Sequence, residues 1–246
     1  MKQIVRQLLA ILGYRLEGIN TVPRQFLEPR RVRHVEFDDV ICRRIVEVGE
    51  NFTFIQVGAY DGVSTDPLRK YIEHYGWRGV MLEPQPVAAS HLRSLYGDNP
   101  NILVIEAALD HQRGTRSLYT VESQLLPKWV GGMASFDKKH ILKHDYLIPG
   151  INALVRELNV ACITFRDVLE QLPSGHLDLL QIDAEGADGY LISLFPFGKL
   201  KPAIIHWESK NMTRVQQEET LELLASHGYL VSRSGDEDSL ACLGEV

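Results

Sequence analysis

A short run of β-forming residues, 54–57, leads directly into a turn that contains Gly58 and Gly62, and this feature constrains the fold most strongly. Glycine in such a turn lets the backbone approach a ligand without interference from a Cβ atom. A second apolar run, residues 79–82, ends one βα unit later in the carboxylate of Glu83. In nucleotide-binding folds, a carboxylate at this place accepts hydrogen bonds from the ribose hydroxyls. The two segments together indicate a nucleotide-binding α/β core, although a glycine-rich turn alone is also typical of βα units that bind nothing.

Strand and helix signals alternate along most of the chain, which indicates a mostly parallel sheet with helices on both faces. Helix-end patterns support this alternation, since Thr213 with Gln216 is typical of a capping box and Asp66 with Pro67 is typical of a helix start. The last two predicted strands flank a turn-rich segment and are predicted to form an antiparallel hairpin. The predicted strands are residues 52–57, 79–83, 102–107, 177–182, 203–207, 229–232 and 240–243.

The composition and charge of the chain limit the classes of protein to which it can belong. The chain has 246 residues, of which 45% are hydrophobic, and this is enough for one large domain with a full core. A formal net charge of -6, with no long basic tract outside residues 30–33, argues against a nucleic-acid partner. The three cysteines are far apart and lie among apolar residues, which is typical of reduced cysteines in a cytoplasmic protein. No apolar run approaches the roughly 18 residues that a membrane-spanning helix needs, so we expect a soluble protein.

The first segment of the chain, residues 1–40, is predicted to be separate from the main domain, residues 41–246. Apolar residues recur at helical spacing between Ile4 and Leu12, and no cleavage-site pattern follows them. We interpret this pattern as an amphipathic helix that packs on the domain or on a second copy of the chain. Peripheral contact with a membrane is the alternative.

Residues 118–160 break the regular alternation of strands and helices. They contain paired glycines, several aromatic residues and a helical pattern at 136–144. Open α/β sheets bind ligands at the carboxyl ends of their strands, so we predict that this segment is a lid-like insertion over that edge.

Five segments together resemble the FkbM-type methyltransferases, a family of S-adenosylmethionine-dependent O-methyltransferases. They are VGAYDG from residue 57, MLEP from 81, AALD from 107, LLQIDAEGAD from 179 and IIHWES from 204. The most specific piece is IDAEG, residues 182–186, which is similar to the family's I-D-x-E-G segment. The resemblance implies a Rossmann-like class I methyltransferase fold, with a mostly parallel seven-stranded sheet that ends in the antiparallel hairpin. It also implies S-adenosyl-L-methionine as the cofactor.

The resemblance also implies a cofactor site. Glu83 would bind the ribose, Ala107 and Ala108 would lie near the adenine, and the turn after the first strand would lie beneath the methionine part. Two residues depart from the family pattern, because Gln56 stands where Asp is frequent and Tyr60 stands where Asn is usual. The implied cofactor-binding residues are Gln56, Gly58, Ala59, Tyr60, Asp61, Gly62, Glu83, Pro84, Ala107, Ala108, Ser135, Asp183 and Glu185.

The residues of the first turn favour a ligand without a phosphate group. A dinucleotide site normally has three glycines, because the pyrophosphate lies against a helix N-terminus without side chains. Here the second of those glycines would fall at Tyr60, whose ring would block the approach of phosphates. Asp61 adds negative charge, which is unfavourable beside a pyrophosphate and acceptable beside a sulfonium. A nicotinamide-dependent oxidoreductase therefore remains only the alternative, together with a noncatalytic module that keeps the fold.

Three residues at strand ends are candidates for catalysis: Asp183, His206 and Glu208. With a reference pKa near 4, Asp183 is a poor base unless burial raises its pKa, and otherwise it would orient the cofactor or the substrate hydroxyl. His206 titrates near neutral pH and could take the proton of that hydroxyl, although a lone histidine in an apolar strand is more often a core residue.

The metal requirement stays open. Asp183 and Glu185 could help to hold a divalent metal ion. His140 and His144 have the spacing of a helical metal pair, but without a third ligand nearby we interpret them as an exposed basic face. The acceptor is predicted to be a small molecule or glycan with a hydroxyl group, and a homo-oligomer is left open.

Overall fold

The computed structural model describes residues 34–64, 66–122, 128–172 and 175–244. The predicted amphipathic helix between Ile4 and Leu12 lies outside these ranges. Within them, no helix is long and apolar enough to cross a membrane.

The strands are β1 (Thr53–Val57), β2 (Arg78–Leu82), β3 (Ile102–Ile105), β4 (Ala108–Leu109), β5 (Gly114–Val121), β6 (Ala134–Ser135), β7 (Val155–Ile163), β8 (Leu179–Ile182), β9 (Ile204–Glu208), β10 (Tyr229–Ser234) and β11 (Asp238–Leu243). The α-helices are α1 (Phe37–Val48), α2 (Arg69–Tyr75), α3 (Pro86–Tyr96), α4 (Lys138–Leu142), α5 (Phe165–Leu169), α6 (Asp188–Leu194) and α7 (Arg214–Ser226).

Seven of the described strands form the central sheet, in the order β10-β11-β9-β8-β1-β2-β3. The pairs from β9 to β3 are all parallel, whereas β11 is antiparallel to both β9 and β10. This confirms the predicted α/β fold with a mostly parallel sheet and a hairpin at its carboxyl end. Each predicted strand overlaps an observed one, with small differences at the ends.

Two apolar layers cover the central sheet, and alternate residues of each strand face opposite layers. Ile55 on β1 packs in the cluster that includes Phe165 of α5 and Leu191 of α6. Phe54 packs in the other cluster, on the side of α1, α2 and α3. There Trp77 stacks on Phe52, with ring centroids 3.8 Å apart. Burial of each such large side chain stabilises the fold by roughly 1.5–3 kcal/mol, so the sheet is held on both faces.

The ends of the helices show why they start and stop where they do. In α7 the Thr213 side chain accepts a hydrogen bond from the backbone of Gln216, and the Gln216 side chain accepts one from the backbone of Thr213. The predicted capping box is therefore confirmed. The helix predicted from Asp66 begins later, at Arg69, and Asp66 Oδ1 accepts a hydrogen bond from Leu68 N at 2.8 Å.

A second sheet, in the order β4-β7-β5-β6, comes from the part of the chain between β3 and β8. Its largest pair is β5 with β7, which are antiparallel. A separate apolar cluster that includes Val121, Met133 and Ile141 packs beside it. The helical pattern at residues 136–144 corresponds to α4 and the following 3-10 helix, Lys143–Tyr146. The strands of this segment were not predicted from the sequence.

Candidate active site

A cavity of about 660 Å³ lies at the carboxyl ends of β1, β2 and β8, and residues of the second sheet line its other side. Most of the predicted site residues line it, and they come from five separate segments of the chain. These residues are Gln56, Gly58, Ala59, Tyr60, Glu83, Pro84, Ala107, Ala108, Ser135, Asp183 and Glu185. The cavity lining does not include Asp61, Gly62, His206 or Glu208.

The turn after β1 is held in one conformation by close packing. Gly58 has φ 79°, and a Cβ atom there would lie 1.8 Å from the backbone oxygen of Asp183. Only glycine therefore fits between the ends of β1 and β8. A Cβ atom at Gly62 would lie 2.7 Å from the Leu92 side chain, so this glycine serves packing against α3 rather than the cavity. Asp61 Oδ1 accepts hydrogen bonds from the backbone of Val63 and Ser64, which directs its carboxylate into the turn.

Glu83 connects this turn to β2. One carboxylate oxygen accepts a hydrogen bond from Tyr60 N at 2.8 Å, and the other accepts one from Gln85 N at 2.8 Å. The residue is only 3% exposed, and burial raises the pKa of Glu83 to about 7. A carboxylate oxygen has two lone pairs, so each oxygen can accept a further hydrogen bond from a ligand in the cavity.

Gln85 is a residue that the sequence reasoning missed. Its Nε2 donates to the backbone oxygen of Gly131 at 3.1 Å, and its Oε1 accepts from Thr120 Oγ1 at 2.7 Å. The side chain thus joins the end of β2 to the second sheet. No local pattern in the sequence signals this role, because both partners are distant along the chain.

Asp110 organises the part of the cavity beyond β3. It accepts hydrogen bonds from Tyr190 Oη at 2.7 Å and from Arg116 Nη1 at 2.6 Å. Burial alone would raise the pKa of Asp110. The hydrogen bonds from Tyr190, Arg116 and His111 outweigh burial and hold this pKa below its ordinary value. The Arg116 guanidinium also lies over the Phe136 ring, 3.9 Å from its centroid. Arg116 and Tyr190 were not predicted as site residues, because their roles depend on pairing across the two sheets.

Asp183 and Glu185 supply the carboxylates at the end of β8. Asp183 is exposed to the cavity, but protein surrounds it on most sides. Burial, followed by the charges of Glu185 and Glu208, raises the pKa of Asp183 to about 8. Glu185 has φ 48°, and its carboxylate lies 3.4 Å from His140 Nε2. Asp188, which is fully buried, accepts a hydrogen bond from Gly186 N at 3.2 Å and so fixes this turn.

His140 differs from its predicted role. The expected exposed basic face is wrong for this residue, because it is 6% exposed and lies against the turn at Gly186. Among the described residues, no group of three or more His, Cys, Asp or Glu side chains is placed to hold a metal ion.

His206 and Glu208 lie outside the cavity. His206 Nδ1 is 2.8 Å from Gln181 Oε1, and its ring lies 4.4 Å from that of Phe37 on the opposite side of the sheet from α5 and α6. Burial lowers the pKa of His206 to about 4. Successive residues of a strand face opposite sides of the sheet. Trp207 faces the layer of α5 and α6, so its neighbour His206 faces the other side. Glu208 Oε2 accepts a hydrogen bond from Asn211 Nδ2 at 2.7 Å, beside Glu185 rather than within the cavity.

The chain matches the family model of the methyltransferase FkbM domain over residues 56–231. The chain belongs to the FkbM methyltransferase family. The match runs from Gln56 on β1 to Val231 on β10, so it includes every residue of the cavity lining. The central sheet is mostly parallel with β11 as its reversed strand, which is the α/β arrangement that the resemblance implies.

Several solved methyltransferase structures are similar to the chain at low sequence identity. Methyltransferase FkbM from Methylobacillus flagellatus KT has 13% sequence identity and a TM-score of 0.46, and the alignment covers 78% of this chain and 44% of that one. The chain therefore spans less than half the length of that structure. A putative caffeoyl-CoA O-methyltransferase from Staphylococcus aureus has 12% identity and a TM-score of 0.44, with 99% of both chains covered. The N-terminal domain of human METTL16 in complex with SAH has 11% identity and a TM-score of 0.43, with 99% of this chain and 81% of that chain covered. No curated protein sequence matches the chain significantly.

Proposed function

We propose that this protein transfers a methyl group from S-adenosylmethionine to a hydroxyl group of a sugar, glycan or secondary metabolite. The observation that carries the proposal is one cavity, in a chain of the FkbM family, that contains the turn after β1, Glu83 and Asp183. These are the groups that a phosphate-free adenosyl ligand and a hydroxyl acceptor require.

The residues that line the cavity fit the cofactor. A volume of about 660 Å³ is in the range of cavities that enclose a ligand of this size. Both oxygens of Glu83 keep a lone pair, which would accept the two ribose hydroxyls. The side chain of Tyr60 occupies the place where a dinucleotide site needs a bare backbone. This supports an adenosyl cofactor over a nicotinamide dinucleotide.

The chemistry of methyl transfer is supplied by the sulfonium of the cofactor, which is already activated. The protein must therefore align the acceptor oxygen and remove its proton. Asp183 has a pKa of about 8, so its ionised form is a stronger proton acceptor than an ordinary aspartate. A proton acceptor at this end of the cavity favours an acceptor substrate with a neutral hydroxyl group.

We also propose that residues 118–160 act as a lid that shapes the acceptor entrance. The bond from Gln85 to Gly131 supports this proposal, as does Ser135, whose Oγ lies 3.4 Å from the backbone oxygen of Glu185. Contact between the predicted N-terminal helix and a membrane or a second copy of the chain stays a prediction.

The test is a transfer assay with methyl-labelled S-adenosylmethionine and a panel of neutral polyhydroxylated acceptors. We expect the wild type to label at least one acceptor. Asp183→Asn should lower kcat by about 100-fold or more, because the proton acceptor is lost. Its affinity for S-adenosylhomocysteine, measured by calorimetry, should stay within about threefold, a change worth less than 1 kcal/mol.

Other outcomes would contradict the proposal in distinct ways. Binding of S-adenosylhomocysteine without transfer to any acceptor would indicate a noncatalytic module. Binding of NAD in its place would indicate an oxidoreductase. Full turnover of the Asp183→Asn variant would exclude Asp183 as the base.

A further inference from the structure

Two buried oxygen atoms at the β1 end of the cavity lack hydrogen-bond partners. They are Oε1 of Gln56 and Oδ2 of Asp66, and neither bonds to any of the described residues. Both residues line the cavity, and Gln56 is 3% exposed. Buried acceptors without a donor are costly, so a pair of them in a cavity indicates that a ligand supplies the donors.

Asp66 is connected to Gln56 in a way that fixes both side chains. Nε2 of Gln56 donates to Oδ1 of Asp66 at 3.1 Å, and Leu68 N donates to the same oxygen at 2.8 Å. Since the carboxylate needs the amide N–H, the amide oxygen of Gln56 must point elsewhere. The hydrogen bonds from Gln56 and Leu68 both end on Oδ1, and by distance and angle Oδ2 accepts none from the described residues.

The surrounding charges show which kind of donor fits. The nearby guanidinium of Arg69 pairs with Glu73 at 2.8 Å and does not bond to Asp66. The arginines of the cavity lining are also paired, Arg113 with Asp167 and Arg116 with Asp110. Burial raises the pKa of Asp66, against the hydrogen bonds from Leu68, Gln56 and the backbone of Arg69, and the charge of Asp61 raises it further. An ammonium group has three N–H donors and a positive charge, so it would satisfy both oxygens.

On the basis of the proposed function, we infer that Asp66, together with Gln56, binds the α-ammonium group of the methionine part of the cofactor. The position in the sheet supports this assignment, because β1 lies between β8 and β2 and the ribose-binding Glu83 follows β2. The carboxylate of this pair comes from Asp66, in the loop ten residues after Gln56.

The experiment compares two ligands by calorimetry. S-adenosylhomocysteine has the amino acid group, whereas 5′-methylthioadenosine has the same adenosine and thioether without it. We expect Asp66→Asn to lower the affinity for S-adenosylhomocysteine by about tenfold or more, since a charged hydrogen bond is lost. The affinity for 5′-methylthioadenosine should change by less than about twofold. The ratio of the two affinities is therefore the readout.

Two further variants control for charge and for local structure. Asp38→Asn removes the same charge from an exposed carboxylate outside the cavity lining, and we expect it to leave the ratio unchanged. The double variant Gln56→Glu with Asp66→Asn exchanges the carboxylate and the amide while keeping one hydrogen bond between them. We expect this exchange to restore most of the wild-type ratio between the affinities for S-adenosylhomocysteine and 5′-methylthioadenosine. Melting temperatures without ligand report whether each variant is folded.

The outcomes separate the two proposals. If the wild type binds neither ligand, the proposed function fails. If the wild type binds both and Asp66→Asn keeps the wild-type ratio, the proposed function stands and the assignment of Asp66 is wrong. The assignment would also be overturned if Asp66→Asn lowered the affinity for both ligands equally, or if the double variant kept the affinity ratio of Asp66→Asn. Either result would indicate that the substitution changes the conformation of the loop.

Discussion

At the scale of single residues, the carboxylate of Glu83 has a structural role, and under the proposed function it would also bind the ribose. It accepts backbone hydrogen bonds from Tyr60 and Gln85, so it holds the turn after β1 against the end of β2. Glu83 also lines the cavity. Because the residue is 3% exposed, its charge depends on the donors around it.

Glu83→Gln should lower the affinity for S-adenosylhomocysteine by about tenfold or more, because an acceptor of charged hydrogen bonds is lost. The pKa of about 7 adds a pH dependence. Below pH 7 the carboxyl group is protonated and accepts fewer hydrogen bonds, so wild-type affinity should fall between pH 8 and pH 6. Calorimetry at several pH values should show that the affinity of the variant changes less with pH than that of the wild type. An equal change in both proteins would contradict the role of Glu83.

His206 illustrates a residue that titrates but does not face the cavity. Its folded pKa of about 4 lies below the ordinary value of 6.5, so between these values the unfolded chain takes up a proton that the folded protein does not. His206 therefore lowers stability as pH falls from 6.5 to 4, by up to about 1.4 kcal/mol per pH unit. The nearest carboxylate is Asp238, 3.7 Å from Nε2.

Urea denaturation of the wild type and of His206→Gln at pH 6.5 and pH 5 isolates this contribution, since other groups titrate in both proteins. We expect the wild type to lose more stability than the variant on acidification. The variant should keep its turnover, as its position outside the cavity implies. Loss of turnover in a folded His206→Gln protein would show that the histidine acts in catalysis.

At the scale of elements, the turn after β1 packs directly on the 3-10 helix Lys128–Gly132 of the second sheet region. A Cβ atom at Gly131 would lie 2.4 Å from Tyr60 Oη, whereas one at Gly132 would lie no closer than 3.7 Å to the Tyr60 ring. Tyr60 N in turn donates to Glu83. The 3-10 helix Lys128–Gly132 and the Glu83 carboxylate are therefore connected through one residue, Tyr60.

Gly131→Ala should displace the Tyr60 ring and lower S-adenosylhomocysteine affinity by about fivefold or more, because overpacking of such contacts costs about 1 kcal/mol or more. Tyr60→Phe removes the clashing oxygen, so the double variant should recover most of the affinity. Gly132→Ala is the matched control, with ordinary contact distances. Equal effects of the two alanine substitutions, or no recovery in the double variant, would contradict the coupling.

The sequence predicted the central sheet well because its strands are continuous apolar runs with distinct turn residues between them. Glu83 and the turn at Gly58 were likewise found from local patterns. The second sheet was not predicted, since β5 and β7 have mixed burial and depend on pairing between distant segments. For the same reason Gln85, Arg116 and Tyr190 were missed. Asp66 was identified only as a helix cap, because its unpaired oxygen is visible only in three dimensions.

At the scale of the whole molecule, the cavity depends on two sheets. The central sheet brings Gln56, Glu83 and Asp183 to one edge through the order β8-β1-β2. The second sheet supplies the opposite lining, including Ser135 and Arg116. Because these residues are far apart in the chain, the site forms only when both sheets are folded and packed together.

The most direct measurement is a crystal structure of the protein grown with S-adenosylhomocysteine. The adenosyl group should occupy the cavity, with both ribose hydroxyls within hydrogen-bonding distance of Glu83 and the adenine near Ala107 and Ala108. A cavity that stays empty at saturating ligand, or a ligand bound elsewhere on the protein, would contradict the account.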